Sequence, residues 1–126
     1  MKLTHCCLVT KDVKRLCEFY KLVFQSDREC GDRYVEFDLE QGILAIASIE
    51  LENSLAPGLF DGGENRGMVI QFQVEDVEAE FERLEKIGVD WVKPLTTQPW
   101  GSRSAWFKDP DGNVIDLFMW VDKPES

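Results

Sequence analysis

The chain has 126 residues, a net charge of −10 and a single histidine. Its length is below the roughly 150 residues of a typical domain unit, so one domain spanning 1–126 is expected. The acidic balance argues against phosphate-backbone partners, no apolar run nears the ~20 residues of a membrane-spanning helix, and one histidine excludes any site that needs two or three from one chain.

Residues 3–9, LTHCCLV, form an apolar run that reads as a strand. Residues 11–24 follow with helical spacing. Val13, Leu16, Cys17, Tyr20 and Val23 recur at three and four, which lays one apolar stripe on a core. Thr10 or Asp12 can cap the start. Residues 33–39, RYVEFDL, alternate as a half-buried strand, and residues 43–49, ILAIASI, are apolar enough for a covered one. Gln41-Gly42 between them predicts a hairpin.

Residues 51–66 hold Pro57, Gly58, Gly62 and Gly63 and read as a linker. Leu55, Leu59 and Phe60 suggest that it packs on something. Module one is therefore set at 1–50 and module two at 67–122.

The order then repeats. Residues 68–74 read as a strand and 76–87 as a helix, with Val77, Phe81, Leu84 and Ile87 on one face and Gly88 as its stop. Residues 89–93 are a short strand candidate. Residues 103–108 and 113–121 are strands around Asp109-Pro110-Asp111-Gly112, where Pro presets φ and Gly accepts a positive one. A shift of 64 superposes the helix core: Val13 on Val77, Cys17 on Phe81, Tyr20 on Leu84 and Val23 on Ile87. Charge does not repeat. Residues 11–24 carry four basic and two acidic side chains, residues 75–88 six acidic and two basic. Two solvated helix faces explain that, as does a subunit contact.

The four cysteines, Cys6, Cys7, Cys17 and Cys30, form no CxxC pair. The N-terminus shows no apolar core followed by a cleavage site, so a cytoplasmic location with reduced, packed thiols is expected.

His5 in the first strand, EFYKLVF at 18–24, VEDVEAEFERL at 74–84 and PWGSRSAWFKDPDGNVIDLF at 99–118 resemble the vicinal oxygen chelate superfamily of glyoxalase I, bleomycin-resistance proteins and extradiol dioxygenases. The resemblance runs from Leu3 to about Val121. It implies an α+β fold of two paired βαβββ modules, forming a curled mixed sheet with a ligand cup. It also implies a homodimer.

Metal enzymes of that group place one ligand on the first and one on the last strand of each module. Carried over, these positions are His5, Val69 (by the 64-residue shift), Asp116 where relatives usually have Glu, and ILAIASI, which offers no donor. Valine cannot coordinate, and two ligands rarely hold a divalent ion. A symmetric dimer does not add donors, because each site still receives one copy of each position. A shifted set of His5, Cys7, Gln71 and Asp116 can be drawn, but no spacing demands it. No metal or other cofactor is expected.

His5 and Asp116 are the acid–base candidates. The bland alternative for His5 is a satisfied polar contact. Cys7 and Gln71 share strand faces with His5 and Val69. Arg103 suits a ligand anion or a surface acid, and whether it or Ser102 and Ser104 face inward stays open. Trp100, Trp106 and Phe118 suit a flat ligand or an ordinary core. The leading expectation is a metal-free small-molecule-binding protein similar to bleomycin-resistance proteins. The alternative is a glyoxalase I-like lyase or isomerase, with an atypical metal site or a metal-free acid–base pair.

Overall fold

Two aspartates start the two long helices. Asp12 accepts a hydrogen bond from the Arg15 amide ahead of α1 (Val13–Phe24), and Asp76 accepts one from the Ala79 amide ahead of α3 (Val77–Ile87). Each fills one of the donors that a helix N-terminus leaves unsatisfied. Thr10 adds to the first cap, its Oγ accepting from the Asp12 amide at 3.1 Å. Gln25 (φ 54°) and Gly88 (φ 86°) end the helices in the left-handed region.

The computed structural model describes residues 3–55, 57–58 and 68–123. The other elements are β1 (His5–Thr10), β2 (Tyr34–Leu39), β3 (Gly42–Ser48), α2 (Ile49–Leu55), β4 (Val69–Gln73), β5 (Asp90–Thr97), β6 (Ser102–Lys108) and β7 (Val114–Trp120). The chain divides into two units, Met1–Glu64 and Asn65–Ser126.

In the first unit the sheet order is β1-β3-β2, with β1 and β3 parallel and β2 antiparallel to β3. The apolar stripe of α1 is buried as the spacing requires: Val13, Leu16, Cys17, Tyr20 and Val23. Removing each such side chain from water contributes about 1.5–3 kcal/mol. Phe24 meets Phe37 of β2 at 5.2 Å, which identifies the sheet face under α1. Strand alternation puts Leu8, Val35, Leu44 and Ile46 on that face, all buried.

In the second unit the order is β4-β7-β6-β5, with β4 and β7 parallel and the other pairs antiparallel. Phe81 of α3 stacks on Trp91 at 4.5 Å, and Trp91 meets Phe107 at 5.6 Å. The face under α3 is therefore that of Trp91, Phe107, Ile115 and Ile70, which are register neighbours across the four strands. Strand β5 runs past the expected 89–93 to Thr97. Pro94 is tolerated because β5 is an edge strand, and the register shifts on both sides of Lys93 absorb it.

The DPDG turn is held by its first residue. Asp109 is 4% exposed, its Oδ1 accepts from the Asp111 and Asn113 amides, and its Oδ2 accepts from Asn113 Nδ2. Gly112 supplies the positive φ of 86°.

Three expectations change. Cys17 and Cys30 are joined as a disulfide, not kept as reduced thiols, while Cys6 and Cys7 are free. The reason is architectural. The second unit follows its helix with β5, whereas residues 25–33 form no strand. Cys17 sits at the register of Phe81, so a covalent link ties the loop to α1 where stacking ties β5 to α3. The start of the 51–66 linker is helical, continuing α2, with the Leu51 amide donating to Ser48 Oγ at 3.0 Å. Leu55, expected to pack, is 73% exposed. Leu59 and Phe60 lie outside the described residues.

Candidate functional site

On the second unit, the sheet face away from α3 carries a row across all four strands. Gln71 (β4) is the register partner of Asp116 (β7), Asp116 of Trp106 (β6), and Trp106 of Lys93 (β5). Asp116 is 5% exposed and accepts a 2.9 Å hydrogen bond from Gln71 Nε2 on its Oδ2. Its Oδ1 and the Nε1 of Trp106 are buried and have no hydrogen-bond partner among the described residues. Lys93 Nζ lies 5.9 Å from the Trp106 ring centre and donates to Gln98 Oε1 at 3.2 Å. Gln98 Nε2 in turn donates to Ser104 Oγ at 3.2 Å, and both residues are buried. Phe118 lies two residues beyond Asp116, hence on the same face, with its ring edge-on to Trp120 at 5.7 Å.

Arg103 is placed elsewhere. It shares the α3-side face with Phe107 and Ala105. Its Nε donates to Glu78 of α3 at 2.9 Å and its Nη1 to Thr97 Oγ at 2.9 Å. The surface-acid alternative describes it, and Ser102 and Ser104 point the other way. Trp100 is 59% exposed.

On the first unit, the face away from α1 carries His5 and Cys7 from β1, and Tyr34 and Glu36 from β2. Ile43, Ala45 and Ala47 of β3 lie between them. The alanines are short enough for side chains of the two outer strands to meet above the central one. Glu36 Oε2 accepts from the Tyr34 hydroxyl at 2.6 Å and lies 3.4 Å from His5 Nε2. His5 Nδ1 and Thr4 Oγ share a 2.8 Å hydrogen bond. His5 is exposed, so this cluster is open to solvent. The bond to Glu36 pushes the Tyr34 hydroxyl up to about 12. Desolvation pushes the Cys7 thiol up, followed by the charges of Glu52, Cys6 and Glu36. A thiol so held is a poor nucleophile near neutral pH.

Glu36 was missed from sequence, although it is the residue that organises this cluster. The signal was present: alternation in RYVEFDL puts Tyr34, Glu36 and Asp38 on one face.

A family model described as the Glyoxalase/Bleomycin resistance protein/Dioxygenase superfamily matches residues 2–117. The chain belongs to this superfamily. YraH of Bacillus subtilis (strain 168), an uncharacterized protein, is similar at 30% identity over 125 residues, covering 94% of this chain and 98% of YraH. Among solved structures, a glyoxalase/bleomycin resistance protein/dioxygenase from Nocardioides aligns with a TM-score of 0.79 at 25% identity, over 100% of this chain and 89% of its own. A lactoylglutathione lyase from Agrobacterium tumefaciens shares the fold, with a TM-score of 0.73 at 21% identity over 94% and 92% of the two chains.

Membership makes the metal of the superfamily's metal enzymes a group to test against this chain's residues. The first-strand positions are His5 and Val69, and Val69 has no donor atom. On the last strand of the second unit Asp116 is the candidate, at the register of Gln71. The same register on the first unit pairs Cys7 with Ala45, which is equally without a donor. Among the described residues, no three His, Cys, Asp or Glu side chains are grouped to hold a metal ion. The donor set does not fit the metal.

Proposed function

We propose that this superfamily member is a metal-free small-molecule-binding protein, similar in role to bleomycin-resistance proteins. Its ligand rests against the sheet face of the second unit that carries Trp106, Phe118 and Asp116. One observation carries the reading: two of the four inherited ligand positions hold Val69 and Ala45, and one oxygen of the remaining carboxylate is engaged by Gln71. Aromatic walls beside a buried polar group suit small-molecule binding. The protein acts as a homodimer.

The test has two parts. Elemental analysis of protein purified without chelator should find no stoichiometric zinc, nickel, iron or manganese. A metal present at one per chain and lost in His5→Ala overturns the reading. A ligand screen followed by tryptophan fluorescence should find compounds that perturb the four Trp residues.

The second reading is a glyoxalase I-like lyase or isomerase working by acid–base chemistry. The observation favouring it is the solvent-open contact of His5 with Glu36, itself bonded to Tyr34. Metal-independent formation of lactoylglutathione, abolished in His5→Ala, would establish it in place of the first.

A further inference from the structure

The row on the second unit leaves two buried groups of opposite polarity unpartnered on adjacent strands. Among the described residues, Trp106 Nε1 is a donor without an acceptor, and Asp116 Oδ1 is an acceptor without a donor. They are register partners on β6 and β7, so their side chains stand next to each other on one face. A buried polar group left unpaired costs about 1–3 kcal/mol, and folded chains rarely leave two together. Neighbouring groups are already committed. Gln71 is spent on the other oxygen of Asp116, and Lys93 is turned to Gln98. The two groups therefore call for a specific pair: one acceptor facing Trp106 and one donor facing Asp116.

We infer that this pair forms a subsite for an uncharged ligand group with a donor and an acceptor side by side, a carboxamide or lactam edge. The inference rests on the binding-protein reading and names its ligand chemistry. The ligand's carbonyl accepts from Trp106 Nε1–H, and its N–H donates to Asp116 Oδ1. An anionic group is disfavoured, because Asp116 would face it with a like charge. An acceptor-only group leaves Asp116 Oδ1 unpaired, and a donor-only group leaves Trp106 unpaired. Phe118 on the same face supplies an apolar surface for the rest of the molecule. The position that the fold uses elsewhere to grip a metal becomes one that reads hydrogen-bond polarity.

The experiment uses two probes on the full chain labelled with ¹⁵N-tryptophan. Benzamide offers both donor and acceptor, whereas N,N-dimethylbenzamide offers only the acceptor. Benzamide should shift the indole N–H resonance that is missing in Trp106→Phe. The dimethyl probe should bind about threefold to tenfold more weakly, the worth of one hydrogen bond. In Asp116→Leu that difference should vanish, and in Trp106→Phe both probes should weaken. If the two probes bind equally to the native chain, or the Trp106 resonance stays fixed while benzamide binds, the pair holds only water and the inference fails. Failure of benzamide to bind also overturns it. The binding-protein reading is then judged separately, by the metal analysis and the wider ligand screen.

Discussion

Removing Gln71 and removing Asp116 should have opposite consequences for stability, although they are partners in one hydrogen bond. Asp116 is 5% exposed, and the 2.9 Å bond from Gln71 Nε2 is its single side-chain partner among the described residues. In Gln71→Leu the buried carboxylate keeps its desolvation cost and loses its compensation. Hydrogen bonds to charged groups contribute about 1.5–3 kcal/mol. Gln71 itself is exposed, so water replaces part of the loss. The net cost should be about 1–2 kcal/mol, which lowers Tm by about 4–8 °C in a chain of this size. Asp116→Leu removes the group that needed compensation and substitutes a side chain of similar shape in a buried place. It should leave Tm within about 2 °C or raise it. Once Asp116 is Leu, adding Gln71→Leu should cost little more, and this coupling is read from the double-mutant cycle. Thermal unfolding by circular dichroism measures all four proteins. A loss in Asp116→Leu equal to that in Gln71→Leu, or additive behaviour in the cycle, would show that the buried carboxylate does not depend on Gln71.

Cys30→Ser should cost about 3 kcal/mol in urea unfolding, the chain-entropy value for a link spanning this many residues. Added reductant should destabilise the native chain equally and leave the variant unchanged. The Tyr34 hydroxyl should ionise near pH 12 in an ultraviolet titration, and Glu36→Gln should bring it back towards the ordinary value of about 10. Because the folded-state value is raised, any stability from this bond is complete below pH ~10 and is lost as pH climbs through 12. Gly101→Ala should be among the most damaging single-methyl changes. Gly101 has φ 100°, and a Cβ there would be driven into the Asp122 carbonyl; urea unfolding should show a loss of more than about 2 kcal/mol.

Much of the architecture was legible because it rests on periodicity. The stripe from Val13 to Val23 and its repeat from Val77 to Ile87 specify two amphipathic helices, and a 64-residue shift carries Val13 to Val77 and His5 to Val69, the starts of matching elements. The disulfide was not legible, because no local pattern joins a helix residue to a loop residue 13 positions on; that pairing depends on how the loop returns. Helix α2 escaped notice for a related reason. Its seven residues, IELENSL, are too few for a helical period to stand out beside the Pro and Gly that follow. At the site, strand alternation placed Asp116 with Phe118 and Cys7 with His5. It could not decide which alternating set faces a helix, and Arg103 fell on the α3 side for that reason. The pairing of Gln71 with Asp116 and the isolation of Trp106 Nε1 needed the strand register, which a sequence does not print.

A crystal structure of protein purified without chelator, with anomalous data at the zinc, nickel, iron and manganese edges, separates a metal-free binding face from a metal site. No anomalous peak is expected within coordination distance of His5 or Asp116, and a bound organic molecule is expected on Asp116 Oδ1 and Trp106 Nε1. A metal ion ligated by His5 or by the Asp116 carboxylate would contradict the metal-free reading.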